Sequence, residues 1–108
     1  MQTFDDRRNS FEKKFACDQE ARFKLEARRN KLLGHWAAGL LGLSGTHEED
    51  YTRSVIRADM HEPGDLDVFR KLKKDFDEKG VAQSDQQIRC AIDDMLAKAI
   101  EQTEAESR

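Results

Sequence analysis

The spacing of proline and of apolar residues restricts this chain to a helical fold. Its 108 residues contain a single proline, Pro63. Before it, a proline-free stretch from about Thr3 to Leu41 carries apolar side chains at helical spacing, which predicts one long amphipathic helix. Residues that favour helices dominate the rest of the chain, and β-branched residues are few. The stripe comprises Phe4, Phe11, Phe15, Leu25, Leu32, Leu33, Trp36 and Leu40.

Three shorter amphipathic segments follow. The second predicted helix begins at a capping box in residues 46–49, the third at Asp65, and the fourth at a capping box in residues 84–87. Gly80 supplies a stop for the third helix. Because the connections are short, we predict an all-α four-helix bundle, with a long first helix whose N-terminal part extends as a mobile or frayed arm.

The first predicted helix is longer than the helices that would cover it. At about 1.5 Å per residue it would span roughly 58 Å, against roughly 30 Å for the fourth helix. Its apolar stripe lapses between Phe15 and Leu25, where the same face carries Asp18 and Arg22. We therefore divide the chain into an arm, residues 1–18, and a bundle domain, residues 19–108.

The arm carries phenylalanines that have no evident partner within the chain. One interpretation is that they fold back on the bundle domain or lie in a frayed segment. The interpretation we prefer is that they dock on another protein as part of an amphipathic helix. Neighbouring basic residues would then steer the encounter and set the register. The predicted partner-binding residues are Phe4, Arg7, Arg8, Phe11, Lys13, Lys14 and Phe15.

The charge of the chain is unevenly distributed. Net charge is −3, yet residues 20–31 contain five bases and only two acids. A short basic stretch on an acidic body indicates a small anion site or a docking surface, and it is unlike the broad basicity of nucleic-acid-binding proteins. No stretch approaches the ~20 apolar residues that span a bilayer, and no secretory signal opens the chain. We expect a cytoplasmic protein that does not insert into membranes.

The sequence lacks the patterns that carry catalysis. There is no phosphate-binding glycine loop, nucleophile elbow or metal-ligand spacing, and three histidines are scattered along the chain. Cys17 and Cys90 are 73 positions apart, and we interpret both as reduced thiols. We predict a binding protein and no enzyme, with no catalytic residue, no metal ligand and no required cofactor.

Residues 26–38 are the densest candidate for ligand binding. Basic side chains there would present charge to phosphates beside an aromatic ring. Arg29 falls on the apolar stripe, so a structural salt bridge to Asp65 or Asp67 is the alternative interpretation. Trp36 is expected more as a core residue than as a stacking platform. The candidate phosphate-binding residues, which become nucleotide-binding candidates through the resemblance described below, are Arg28, Arg29, Lys31, Trp36, Arg70 and Arg89.

Two glycines, Gly34 and Gly39, interrupt the first predicted helix. Each costs about 1 kcal/mol relative to alanine in a helix. Close approach of a neighbouring helix would explain both, and a ligand is the alternative explanation.

Several motifs, in order along nearly the whole chain, resemble the ζ subunit of alphaproteobacterial F-type ATP synthases. They are TFDDR at 3–7, FEKKF at 11–15, ARRNKLLG at 27–34, WAA at 36–38, EPGD at 62–65, DVF at 67–69, SD at 84–85 and IR at 88–89. Gly39 replaces a residue that is commonly polar in that family, and Cys17 and Cys90 are not signatures of it.

The resemblance implies a four-helix bundle with an inhibitory N-terminal segment. That segment would enter the catalytic head of the synthase, made of α, β and central-stalk subunits, and block rotation in the hydrolytic direction. The resemblance also implies ADP or ATP as a regulatory ligand and a location at the cytoplasmic face of the inner membrane. We expect a monomer when free. A nucleotide-sensing module and a generic helical adaptor remain alternatives.

Overall fold

Residues 19–58 and 65–106 are described by a computed structural model, and they form four helices. These are α1 (Gln19–Leu41), α2 (Gly45–Ala58), α3 (Leu66–Lys79) and α4 (Asp85–Glu106). The predicted all-α four-helix fold is confirmed. The predicted part of the first helix before Gln19, and with it the whole arm, lies outside the described residues.

Three predicted helix boundaries are confirmed, namely the ends of α1 and α3 and the start of α4. Gly42 (φ +76°) follows α1, and Gly80 (φ +69°) follows α3. Both occupy the left-handed region that glycine adopts without a steric cost. At the start of α4, the Ser84 backbone N–H donates to Gln87 Oε1 at 2.8 Å, and the Gln87 backbone N–H donates to Ser84 Oγ at 3.1 Å. This reciprocal pair is the predicted capping box.

The start of α2 differs from the prediction. The helix begins at Gly45, and the Glu48 backbone N–H donates to the Ser44 carbonyl at 3.4 Å. Thr46 therefore lies inside the first turn and does not precede the helix. The predicted capping box at 46–49 is wrong for this reason. Asp65 does precede α3, and its carbonyl accepts from the Phe69 N–H at 3.0 Å, but its side chain makes no capping hydrogen bond.

Helix α1 lies between α2 and α4 and contacts both. Gly34 faces Thr52 of α2 so closely that an added Cβ would lie 2.7 Å from the Thr52 Cα. Helix packing is therefore the reason for Gly34. It does not explain Gly39, because no atom of residues 19–58 or 65–106 lies within 4 Å of a Cβ there. The packing explanation is confirmed for the first glycine and wrong for the second.

Two apolar clusters hold the helices together. The wide cluster takes residues from all four helices, whereas the narrow cluster takes them from α1 and α4 alone. The wide cluster is Leu33, Ala37, Val55, Val68, Leu72, Phe76, Ile88, Ala91 and Ile92. The narrow cluster is Leu25, Leu96, Ala99 and Ile100, with Leu32 packed against it. The narrow cluster lies at the end of α1 that adjoins the arm.

Within residues 19–58 and 65–106, no helix is long and apolar enough to cross a membrane.

Candidate functional site

The outer face of α1 carries a line of basic side chains. Lys24, Arg28, Lys31 and His35 are spaced by four, three and four residues, which places them on one side of a helix. Lys24, Lys31 and His35 are exposed and Arg28 is half-buried. We call these four residues the basic stripe.

Arg28 is held by the last turn of α4. Its Nη1 donates to Glu106 Oε1 at 2.8 Å and its Nη2 donates to Glu106 Oε2 at 2.7 Å. The hydrogen bond from Arg28 holds the pKa of the Glu106 carboxyl below its ordinary value, and the same bond raises the pKa of Arg28. The two-point geometry is the one that a guanidinium also offers to a phosphate.

Two further members of the stripe have glutamate partners. Lys24 Nζ lies 3.3 Å from Glu20 Oε1, and His35 Nδ1 lies 3.2 Å from Glu48 Oε1. Lys31 forms no ion pair with any residue in the described part of the chain. Lys31 is therefore the member of the stripe whose charge is most available to another molecule.

Arg29 differs from its neighbour Arg28 because it is buried, with 3% of its surface exposed. Its Nε donates to Asn30 Oδ1 at 3.1 Å, and Asn30 is itself buried. In this arrangement Arg29 faces the interior of the bundle and is not presented to a soluble ligand. Its predicted pairing with Asp65 or Asp67 stays a prediction.

Trp36 packs mainly as a core residue. Its ring meets the Phe76 ring edge-on, with centroids 5.6 Å apart and an interplanar angle of 87°. The indole also borders an open groove of about 670 Å³ beside the first turns of α4. The rest of the groove lining is Gln83, Ser84, Gln86, Gln87, Cys90, Ala91 and Asp94.

The two remaining nucleotide candidates lie towards the start of α4 and on α3. The Arg89 guanidinium carbon lies 4.6 Å from the centroid of the Phe69 ring, a cation–π contact, and Arg70 is exposed. Arg28 contacts Glu106, which is 17 positions beyond Arg89 on the same helix, or about 26 Å along its axis. The six candidates therefore do not converge on one place.

A second polar cluster joins α2 to α3. Tyr51 Oη donates to Asp75 Oδ2 at 2.8 Å, and Lys71 Nζ reaches the same oxygen at 3.0 Å. Burial raises the pKa of Tyr51, and the hydrogen bond to Asp75 raises it further. These groups satisfy one another, so we interpret this cluster as structural.

The sequence interpretation missed two residues that stand out here. Phe23 is 58% exposed on α1, and Glu106 pairs with an arginine 78 positions away. The position of Phe23 outside the apolar stripe is a signal that could have found it. Nothing local in the sequence links Arg28 to Glu106.

All seven predicted partner-binding residues belong to the arm and so lie outside the described residues. Within residues 19–58 and 65–106, no group of three or more histidine, cysteine or acidic side chains is placed to hold a metal ion.

Comparison with known proteins identifies a family. The family model described as ATPase inhibitor subunit zeta matches residues 1–102. A solved structure, determined by solution NMR, is 40% identical in sequence with a TM-score of 0.69, and the match covers 79% of this chain and 96% of that one. No curated protein sequence matches the chain.

Proposed function

Because the chain belongs to the ATPase inhibitor subunit zeta family, we propose that it inhibits ATP hydrolysis by the F-type ATP synthase by inserting its arm into the catalytic head. The partner would be the α, β and central-stalk subunits, at the cytoplasmic face of the inner membrane. The observation that carries the proposal is that the family match includes residues 1–18 along with the bundle.

The lengths of the described helices support a role for the arm outside the bundle. Helix α1 has 23 residues and α4 has 22, so each is already about 34 Å long. A helical arm that continues α1 would extend past the end of α4. Its phenylalanines would then need apolar contact from a larger partner.

The arm would act as an amphipathic helix in a groove. Phe4, Phe11 and Phe15 would be its apolar anchors, since a few buried aromatic residues commonly dominate such interfaces. Arg7, Arg8, Lys13 and Lys14 would steer the encounter and set the register more than they would add affinity.

The test replaces the three anchors together, Phe4→Ala, Phe11→Ala and Phe15→Ala, and measures ATP hydrolysis by the cognate catalytic head. We expect inhibition to be lost at concentrations where the unaltered chain inhibits fully. The matched control is the double variant Leu40→Ala and Leu66→Ala, which removes exposed apolar surface from the bundle, where these leucines are 40% and 43% exposed. If the triple variant inhibits as well as the control, the arm is not the inhibitory element.

We also propose adenine nucleotide as a regulatory ligand, with the groove beside Trp36 as its place. The groove volume of about 670 Å³ is within the usual range for small-molecule sites, roughly 300–1,000 Å³. Arg89 is the predicted basic residue closest in sequence to the groove lining. Titration with ADP, followed by amide NMR, should shift signals of residues 83–91 and Trp36. Shifts confined to Arg28 and Lys31 would instead place the ligand on the outer face of α1, and the absence of localised shifts would remove this role.

A further inference from the structure

We propose that α1 itself supplies a second, folded contact with the same partner: Phe23, Lys24 and Lys31 dock against an acidic surface of the ATPase catalytic head, next to the place where the arm inserts. This contact rests on the proposed inhibitory function. It adds a part of the bundle domain to an interface otherwise confined to residues 1–18.

The three residues form one patch on α1. Lys24 and Lys31 are seven positions apart and share a side of the helix, and Phe23 lies about a quarter-turn from them at ~100° per residue. Phe23 is 58% exposed, and the Lys24 side chain is 74% exposed. An exposed aromatic ring bordered by exposed lysines, of which Lys24 forms a surface ion pair with Glu20, has the composition of an interface anchor with a charged rim.

Phe23 continues a face of α1 that is covered elsewhere in the bundle. The line of positions Gly34, Asn30, Ala27 and Phe23 recurs every three or four residues on one side of the helix. Gly34 is in contact with Thr52 of α2, and Asn30 is 1% exposed. Nearer the arm, the same side of α1 carries Phe23, whose ring is mostly exposed to solvent.

Basic side chains of the stripe can exchange their glutamate partners for carboxylates of another protein. Exposed ion pairs contribute little stability and are screened by salt. The glutamates that pair with Lys24 and Arg28 have side chains 79% and 64% exposed. A partner carboxylate can therefore replace them at small cost, and Lys31 has no ion pair to give up within the described ranges. A positive strip on a chain of net charge −3 favours an acidic docking surface.

Chain connectivity decides which partner this is. Phe23 is five residues from the end of the arm, at most about 18 Å of fully extended chain. The part of the partner that holds the end of the arm must therefore lie beside the first turns of α1. A second copy of this chain would occupy the same patch only if its affinity and concentration together exceeded those of the catalytic head.

The first test reverses one charge on the patch and one far from it. Lys31→Glu and Lys79→Glu change the net charge equally, and Lys79 is an exposed residue in the last turn of α3, at the other end of the bundle. We expect Lys31→Glu to slow the onset of inhibition of the cognate catalytic head by about three- to tenfold at low ionic strength, because steering falls with local charge. The difference should shrink in high salt. Equal onset rates for the two variants would overturn the proposal.

The second test removes the aromatic anchor. Phe23→Ala is matched by Leu40→Ala, an exposed apolar residue at the opposite end of the same helix. We expect Phe23→Ala to speed recovery of hydrolysis after dilution by about five- to tenfold, as loss of an interface anchor acts mainly on dissociation. Recovery as slow as that of Leu40→Ala would count against the patch.

The failure of this proposal is distinguishable from the failure of the arm. If the triple phenylalanine variant of the arm loses inhibition while Lys31→Glu and Phe23→Ala behave as their controls, only the second contact is refuted. If Phe23→Ala alters self-association of the free chain by sedimentation, and leaves the recovery rate unchanged, a second copy is the occupant and the proposal is wrong.

Discussion

The two apolar clusters of the bundle differ in what surrounds them. The wide cluster is closed by all four helices, and seven of its nine residues have no exposed surface. The narrow cluster is formed by α1 and α4 alone, and beside it the last turn of α4 is joined to α1 by the ion pair of Glu106 and the half-buried Arg28. Well-surrounded clusters set global stability, whereas regions with few buried neighbours open locally at lower free energy.

This difference indicates a division of labour along α1. The end of α1 that contains Leu33 and Ala37 anchors the bundle, and the end that contains Leu25 adjoins the arm. The proposed insertion of the arm into the catalytic head would require its first residues to reach a larger partner, so we expect this end of α1 to be loosely supported. The following substitutions test whether the two ends differ as this comparison requires.

The same leucine truncation should cost more in the wide cluster. Leu72 has no exposed surface, and Leu96 in the narrow cluster is 7% exposed. We expect Leu72→Ala to lower the free energy of unfolding by about 4 kcal/mol and Leu96→Ala by about 2 kcal/mol, because the narrow site can collapse around the lost volume. Denaturant unfolding of the two variants measures both values. Equal losses would remove the distinction between the clusters.

Two glycines of α1 should respond oppositely to alanine. In Gly34→Ala the new Cβ would meet the Thr52 backbone, so α1 and α2 must separate, and we expect a loss of about 1–3 kcal/mol. In Gly39→Ala the Cβ meets no atom of the described residues within 4 Å, so helix propensity alone acts, and we expect a gain of up to about 1 kcal/mol. Thermal unfolding of both variants checks the signs. A stabilising Gly34→Ala would contradict the close helix approach.

The smallest effect is expected at the ion pair beside the narrow cluster. The pKa of Glu106 is lowered by Arg28, so the pair stabilises the fold above the ordinary glutamate pKa of 4.5, and this contribution is lost as pH falls through the lower folded value. The protection factors of the amides in the last turn of α4, which are corrected for the pH dependence of intrinsic exchange, should therefore fall in acid for the unaltered chain. Glu106→Gln should exchange faster at neutral pH and show a weaker response to acid. An unchanged profile would mean that the pair does not hold the helix end.

Local signals in the sequence predicted local features well. The period of Leu25, Leu33 and Trp36 identified the inner face of α1, and Gly80 marked the end of α3 because a left-handed residue suits glycine. The capping box at Ser84 was confirmed, while the one at Thr46 was not. Gly45 can adopt a positive φ, here +59°, and it begins the helix one residue earlier.

Features that depend on distant contacts were not predictable. The pairing of Arg28 with Glu106 depends on how the last turn of α4 meets α1, whereas the burial of Arg29 agrees with its predicted place on the apolar stripe. Adjacent arginines with the same local sequence therefore take opposite roles. Gly34 and Gly39 both appear in the sequence as glycines within a predicted helix. They differ because Thr52 of α2 lies against Gly34 and not against Gly39. The exposure of Phe23, by contrast, agrees with its position outside the apolar stripe.

Removal of residues 1–18 separates inhibition from folding in one experiment. The shortened chain, residues 19–108, should unfold at nearly the temperature of the full chain, because both apolar clusters lie within it. Added to the cognate catalytic head, it should leave ATP hydrolysis at the uninhibited rate over the range in which the full chain inhibits. A folded 19–108 chain that inhibits as strongly as the full chain would contradict the role given to the arm.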